Sequence, residues 1–348
     1  MERPESNFKI IGGGDAEIAE AESAVRDNRK WQELKVAKFE IAETEKDKAI
    51  IREVQTAVDR VVRECGGNPV PISQNQIHVV RPGSLTTLGE GRFKHGFAAT
   101  LEQYVVVERG PSDTDFAGAL AHELLHWQSP TVAKIVDDPN EPKLYRRGMV
   151  MVDLKNPDVK IGHEKQYFAE LEEAIVAEAT DRVLGELVRS NEFVRAETTL
   201  FARIKPWLHT MLVKANRTTE EENRKMLDGL RAAPAKEVEE ILAVLDGNKL
   251  SEDQKLVFLY GEFRKLHAKA AISETERTHE REKFDKLVDG LVAGYQGRMT
   301  REEVKQEFLK ANFAGNYLRI ARLIEHALGK GTFRKVAEDF SQRERPTR

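Results

Sequence analysis

The nine residues Ala119-Leu120-Ala121-His122-Glu123-Leu124-Leu125-His126-Trp127 constrain this chain more than any other stretch of it. Six of them are apolar and favour burial, yet the segment also carries two histidines and a glutamate, groups that enter a core only with partners. The pattern predicts a helix over 115–129, stopped by Pro130. Histidines four apart lie one above the other on a helical face, so both imidazoles can reach a single metal ion at about 2.0 to 2.1 Å. Glu123, rotated round the helix from His122, can reach a water on that ion without taking a coordination position. Phe116, Leu120, Leu124 and Trp127 form a separate apolar face, and Gly118 and Ala119 keep the histidine side uncrowded.

The flanking chain supplies helices on both sides and strands close by. Residues 15–64 contain no proline or glycine, and Ile51, Val54, Val58 and Val61 recur on one face, which predicts one long helix or two in series. Gly12-Gly13-Gly14 reads as a lead-in to an N-cap at Asp15, and Gly66, Gly67 and Pro69 end the helical region. Between 70 and 110, Ile77–Arg81, Gly96–Leu101 and Gln103–Glu108 are rich in β-branched and aromatic residues, with turns at Pro82-Gly83 and Gly89-Glu90-Gly91. A small, mostly antiparallel sheet is expected there. A hairpin is expected from Met149–Asp153 and Val159–Ile161 around Asn156-Pro157-Asp158, and a helix from about Glu164 to Arg189. Beyond 190 the chain reads as helical, with capping boxes at Thr218-x-x-Glu221, Ser251-x-x-Gln254 and Thr300-x-x-Glu303, before an arginine-bearing tail at 341–348.

Composition narrows the function classes. The 348 residues are 40% apolar, enough for a sizeable core, and 33% charged, which suits long solvated helices. A net charge of −4 argues against a general nucleic-acid or anionic-membrane binder. Cys65, the one cysteine, can form neither an internal disulfide nor a thiolate zinc cluster. The charged start of the chain carries no secretory h-region, and no apolar run is long enough to span a bilayer. The expectation is a cytoplasmic protein with no nucleic-acid or membrane partner; its oligomeric state is not legible.

A hydrolytic zinc site needs a third protein ligand. Ser129 and Val132 stand where a His-x-x-Gly-x-x-His extension would put its glycine and third histidine, so the ligand must come from elsewhere. The segment Tyr167–Glu178 offers Glu170, Glu172, Glu173 and Glu178 in otherwise apolar surroundings. Here the chain resembles the gluzincin metallopeptidases, zincins whose second zinc-binding helix carries a glutamate in a context like Asn-Glu-Ala-Ile, and in particular bacterial members with a Tyr-x-x-Gly segment and a short hairpin between the two helices. The matching residues are Tyr145-Arg146-Arg147-Gly148 and Leu171-Glu172-Glu173-Ala174-Ile175, within a resemblance that spans about 70–190. It implies zinc ligands His122, His126 and Glu173, and Glu123 as general base. Such helices often carry an acidic residue four positions after the ligand to hold a zinc-bound histidine; Ala177 stands there, which keeps Glu178 open as the alternative ligand. Tyr145, His163, Tyr167, Tyr317 and His326 are candidate oxyanion donors by residue type alone, a basis too thin to assign any of them to the site.

The resulting expectation is an α+β protein in three parts. Residues 1–65 form an N-terminal helical region and 66–190 a zincin-like catalytic domain with a small sheet and two zinc-binding helices. Residues 191–348 form a helical domain that makes the other wall of the cleft. The expected activity is zinc-dependent hydrolysis of a peptide or protein substrate; the resemblance implies that Gly96–Leu101 is the edge strand that holds it, while Phe97, Ala98 and Ala99 read equally well as an ordinary buried strand. Two rivals remain: a helical interaction scaffold with a structural or degenerate metal site, and a zinc hydrolase of a non-peptide amide.

Overall fold

The computed structural model describes residues 8–87, 95–110, 112–154, 165–215, 235–247, 249–269 and 274–341. The turn at Gly89-Glu90-Gly91, the Val159–Ile161 strand, the Thr218-x-x-Glu221 cap, His163 and the tail beyond Ser341 lie outside the described residues. The class is α+β, with small mixed sheets among many helices.

Residues 15–64 form two helices, α1 (Asp15–Val36) and α2 (Glu45–Glu64). The break falls where Thr44 caps α2 by accepting a hydrogen bond from the Asp47 amide, and where Glu40 bridges to Val80. The N-cap of α1 is Gly14 rather than the expected Asp15, because Glu17 reaches back to accept from the Gly14 N–H. Ile50, Ile51, Val54, Val58, Val61 and Val62 of α2 are buried, as the periodicity requires.

The strand region is a three-stranded sheet in the order β2 (Ile77–Val80), β4 (Tyr104–Glu108), β3 (Gly96–Ala99). It is mixed rather than mostly antiparallel: β2 runs parallel to β4, and β3 antiparallel. The sequence already hints at the reason, since Val105, Val106 and Val107 are apolar without alternation and β4 is buried on both faces at the centre. A short helix, α3 (Ser84–Thr87), follows β2.

A second sheet was not legible. Its order is β1 (Phe8–Ile11), β5 (Thr131–Lys134), β6 (Lys143–Arg147), β7 (Val150–Val152), β8 (Gln166–Tyr167), with β1 parallel to β5. Its strands are too short to show a period of two, and β1 pairs with a segment about 120 positions later. The first strand of the expected hairpin is present as β7, which also turns back to β6 at Gly148, whose φ of +48° favours glycine; its expected partner at 159–161 lies outside the described residues.

Between β4 and β5 runs α4 (Asp113–Gln128), and after β8 runs α5 (Ala169–Ser190), which starts five residues later than expected because Gln166–Tyr167 pair with β7. The helices α6 (Glu192–Ala215), α7 (Ala235–Asp246) and α8 (Glu252–Lys269) have a small core of their own around Ile204, Leu242, Leu245 and Leu259. Then come α9 (Glu274–Gly294), α10 (Arg301–Ala314), α11 (Tyr317–Leu328) and α12 (Thr332–Asp339). The capping boxes at Ser251 and Thr300 are formed. One apolar core runs through α2, α4, α5 and α9–α12, so residues from all three expected parts share it.

Arg109, at the end of β4, fixes where α4 begins. Its guanidinium donates to Asp47 (2.7 Å), to the carbonyls of Gly110 (2.6 Å) and Ser112 (3.2 Å), and to Asp113. It thereby ties the first turns of α2 and α4 together beneath the sheet. Both carboxylates are almost wholly buried. Replacing Arg109 by leucine leaves them without this partner and should lower stability by about 3 kcal/mol in urea unfolding. Burial would raise the Asp47 carboxyl, but hydrogen bonds from Thr44 and Arg109 hold it below its ordinary value. Its contribution is therefore present above the unfolded carboxyl pKa of about 4 and is lost as pH falls through the lower folded value.

Candidate metal centre

Helices α4 and α5 pack against each other and run in opposite directions. His126 meets Glu172 at the start of α5, whereas His122, one turn earlier on α4, meets Thr180. Small residues allow the approach: a Cβ on Gly118 would already touch Leu184 of α5 at 3.5 Å. Helix α4 is buried all round rather than on one face, because Ala117, Ala121 and Leu125 are enclosed as completely as Phe116, Leu120 and Leu124.

This pairing brings His122, His126 and Glu173 together as the one group of three potential metal ligands among the described residues. The two Nε2 atoms are 3.1 Å apart, and Oε2 of Glu173 lies 3.2 Å from one and 3.4 Å from the other. Ligand atoms bonded at about 2.0 to 2.1 Å to a tetrahedral ion lie about 3.3 to 3.4 Å from each other, so this triangle has nearly the right edges. Both histidines are 4% exposed, while the Glu173 side chain retains 36% exposure, so solvent reaches the cluster along Glu173. Glu178 is placed elsewhere: its carboxylate accepts from Lys305 (2.7 Å), and Lys305 is drawn from α10.

The opposite nitrogens of the imidazoles are also engaged. Nδ1 of His126 lies 2.9 Å from Oε1 of Glu172, a fully buried carboxylate whose Oε2 accepts from Arg147 at 3.2 Å. The Thr180 hydroxyl donates to the Val176 carbonyl, which leaves its oxygen to accept from Nδ1 of His122 at 3.5 Å. Each ring thus has an acceptor at Nδ1 that leaves the Nε2 lone pair aimed at the cluster. The carboxylate expected four positions after the ligand is supplied instead by the residue just before it. Ala177 shares a face of α5 with Glu173 and Thr180, and Glu172 projects about 100° away, toward His126 and β6.

Electrostatics favour a cation here. Burial opposes charge on His126, but Glu172 and Glu173 overcome it and push its pKa up to about 10. Burial likewise raises the Glu173 carboxyl, yet His126 and His122 hold it well below the ordinary carboxylate range. Arg147 is buried against its charge and kept cationic by Glu172, Glu173 and Glu123. With both imidazoles neutral, as metal ligation requires, three carboxylates facing one guanidinium leave an excess of two negative charges; without a metal the proton on His126 offsets part of it. A dication balances that excess, and the donor set of two imidazoles and a carboxylate suits zinc.

Glu123 is 6% exposed and packs against the edge strand β3. A Cβ on Gly96 would come within 2.6 Å of its Cγ, so the glycine makes room for this carboxylate. The four oxyanion-donor candidates among the described residues have other partners. The Tyr317 hydroxyl donates to the Gly148 carbonyl under Arg146, Tyr145 lies under Lys134, Tyr167 under Lys165, and His326 stacks near Tyr295. Sequence reasoning missed Glu172 and Arg147 as functional residues. For Glu172 a signal existed, since an acid stands in the stripe Val176, Ala179, Val183 that is otherwise apolar; for Arg147 there was none, because its place follows from β6 pairing.

Comparison with protein-family models, curated proteins and solved structures returned no match.

Glu172→Gln should weaken zinc binding by about 10- to 100-fold in a chelator competition, the usual cost of losing the partner behind a ligating histidine. Glu178→Gln in the same assay should bind zinc like the wild type.

Proposed function

We propose that the chain is a zinc-dependent peptidase of zincin-like design, with His122, His126 and Glu173 as the metal ligands. The observation that carries the reading is the triangle of Nε2, Nε2 and Oε2 atoms, with Glu123 next after His122 on α4. A divalent zinc ion held there supplies Lewis acidity, lowering the pKa of water toward about 7 and polarising a carbonyl. The protein's own residues do the rest. Glu172 and Thr180 orient the two imidazoles, and Arg147 holds Glu172. Glu123 accepts a proton from the attacking water and returns it to the leaving amine, the general acid–base role.

The strand β3 supports a peptide rather than a small amide as substrate. It is the edge of its sheet among the described residues, and its Gly96 end lies against Glu123. An extended chain added along that edge passes the acid–base group with its main chain hydrogen-bonded. Among the described residues no helix is long and apolar enough to cross a membrane.

Glu123→Gln separates this reading from a scaffold with a structural metal. Zinc content should stay at one per chain while hydrolysis of a peptide library falls by about 100- to 10,000-fold. Equal turnover by both proteins, with zinc retained, would rule out the assigned base. A wild-type chain that carries stoichiometric zinc without cleaving any peptide would favour the scaffold.

A further inference from the structure

The start of α5 is held in a costly conformation by a distant part of the chain. Phe168 has φ +62° and ψ +14°, the left-handed region, which is unfavourable for a residue with a side chain. It is one of three such non-glycine residues among those described, and the one that stands only a turn before Glu172 and Glu173. No side chain caps the helix there. The partners come instead from the end of the fold. The Phe168 ring lies 5.2 Å from that of Phe333 at the start of α12, and the Phe340 carbonyl accepts from the Glu170 N–H at 3.2 Å. Lys283 of α9 donates to the Asp339 carbonyl at 3.0 Å and pairs with Glu170, while Lys165 pairs with Glu338. Val336, Ala337 and Phe340 are buried in the same core as α5.

We infer that α12 and the turn after it are a positioning element of the metal centre: by clamping Phe168 in its left-handed conformation and capping the first turn of α5, they set where Glu172 and Glu173 present their carboxylates. This rests on the metal reading above. The geometric sensitivity is steep, because the triangle has edges of 3.1 to 3.4 Å and Glu172 must reach His126 from the same turn. An α5 whose first turn frays lets both carboxylates drift, and two acids are lost to the centre together. Phe333, Lys283 and Phe340 touch no ligand directly, so they position rather than bind.

Phe333→Ala tests this, since Phe333 is only partly buried and its loss need not unfold the chain. Lys283→Gln is the second variant, removing the link to Asp339 and Glu170 without opening a cavity. Val288→Ala, in the buried part of α9, is the control for a general loss of packing. Two quantities are measured on the full-length folded protein: zinc affinity by chelator competition, and hydrogen exchange of the 169–173 amides without metal. Both clamp variants should bind zinc at least about tenfold more weakly and exchange those amides faster, whereas Val288→Ala should do neither. Phe333→Leu should restore much of the affinity. Clamp variants that bind zinc like the wild type, or a control that weakens it equally, would overturn the inference. If the wild type itself binds no zinc, the metal reading fails, and the exchange data alone then decide whether the clamp exists.

Discussion

The burial of charge between α4 and α5 is the constraint on which the rest depends. Two imidazoles and the carboxylate of Glu172 are all but removed from solvent there, and an isolated buried charge is costly. Every neighbouring element answers that demand. Helix α5 brings Glu172, Glu173 and Thr180, and β6 brings Arg147. With both imidazoles neutral, an excess of negative charge remains that would suit a dication, which is the basis of the proposed metal site. Removing any one member would leave the others uncompensated, which is why the cluster acts as a unit.

The scaffold around the pair explains how these groups are held to within a few tenths of an ångström. Arg109 fixes the origin of α4, β3 packs its glycine against Glu123, and the β6–β7 turn anchors Arg147. That turn is in turn pinned by α10, where Asn312, fully buried, accepts from the Met149 N–H at 2.9 Å and donates to Ser129 at 3.0 Å. The helices after 274 thus pack directly behind the centre. Helices α7 and α8 share a separate small core with the later part of α6, while the start of α6 packs into the main core through Phe193 and Val194. The proposed function gives the first group a part in positioning the ligands and assigns no such part to the second.

How much was legible can be argued residue by residue. His122, Glu123 and His126 declare themselves because helical periodicity is local: residues i and i+4 share a face whatever else the chain does. The strands β2, β3 and β4 and helix α2 were legible for the same reason, each carrying its own pattern. Glu173 was reached through its resemblance to a known second-helix context, and the fold brings it to the histidines while leaving Glu178 with Lys305. The sheet β1-β5-β6-β7-β8 was not legible, because short strands carry too little pattern and β1 finds β5 only through long-range pairing.

The sequence by itself therefore determined the residue types, the helical register of the two histidines, and the excess of acid in a segment apolar enough to be buried. Tertiary structure alone decided which acid meets which imidazole nitrogen. Neighbours in sequence, Glu172 and Glu173 diverge because a helix turns about 100° per residue, so Glu172 meets Nδ1 of His126 while Glu173 meets the Nε2 atoms of both rings. It also decided that Arg147 would neutralise Glu172, and that the last helix of the fold would close over the first turn of α5. Those are long-range contacts, fixed by packing once the chain is compact, and no local pattern encodes them.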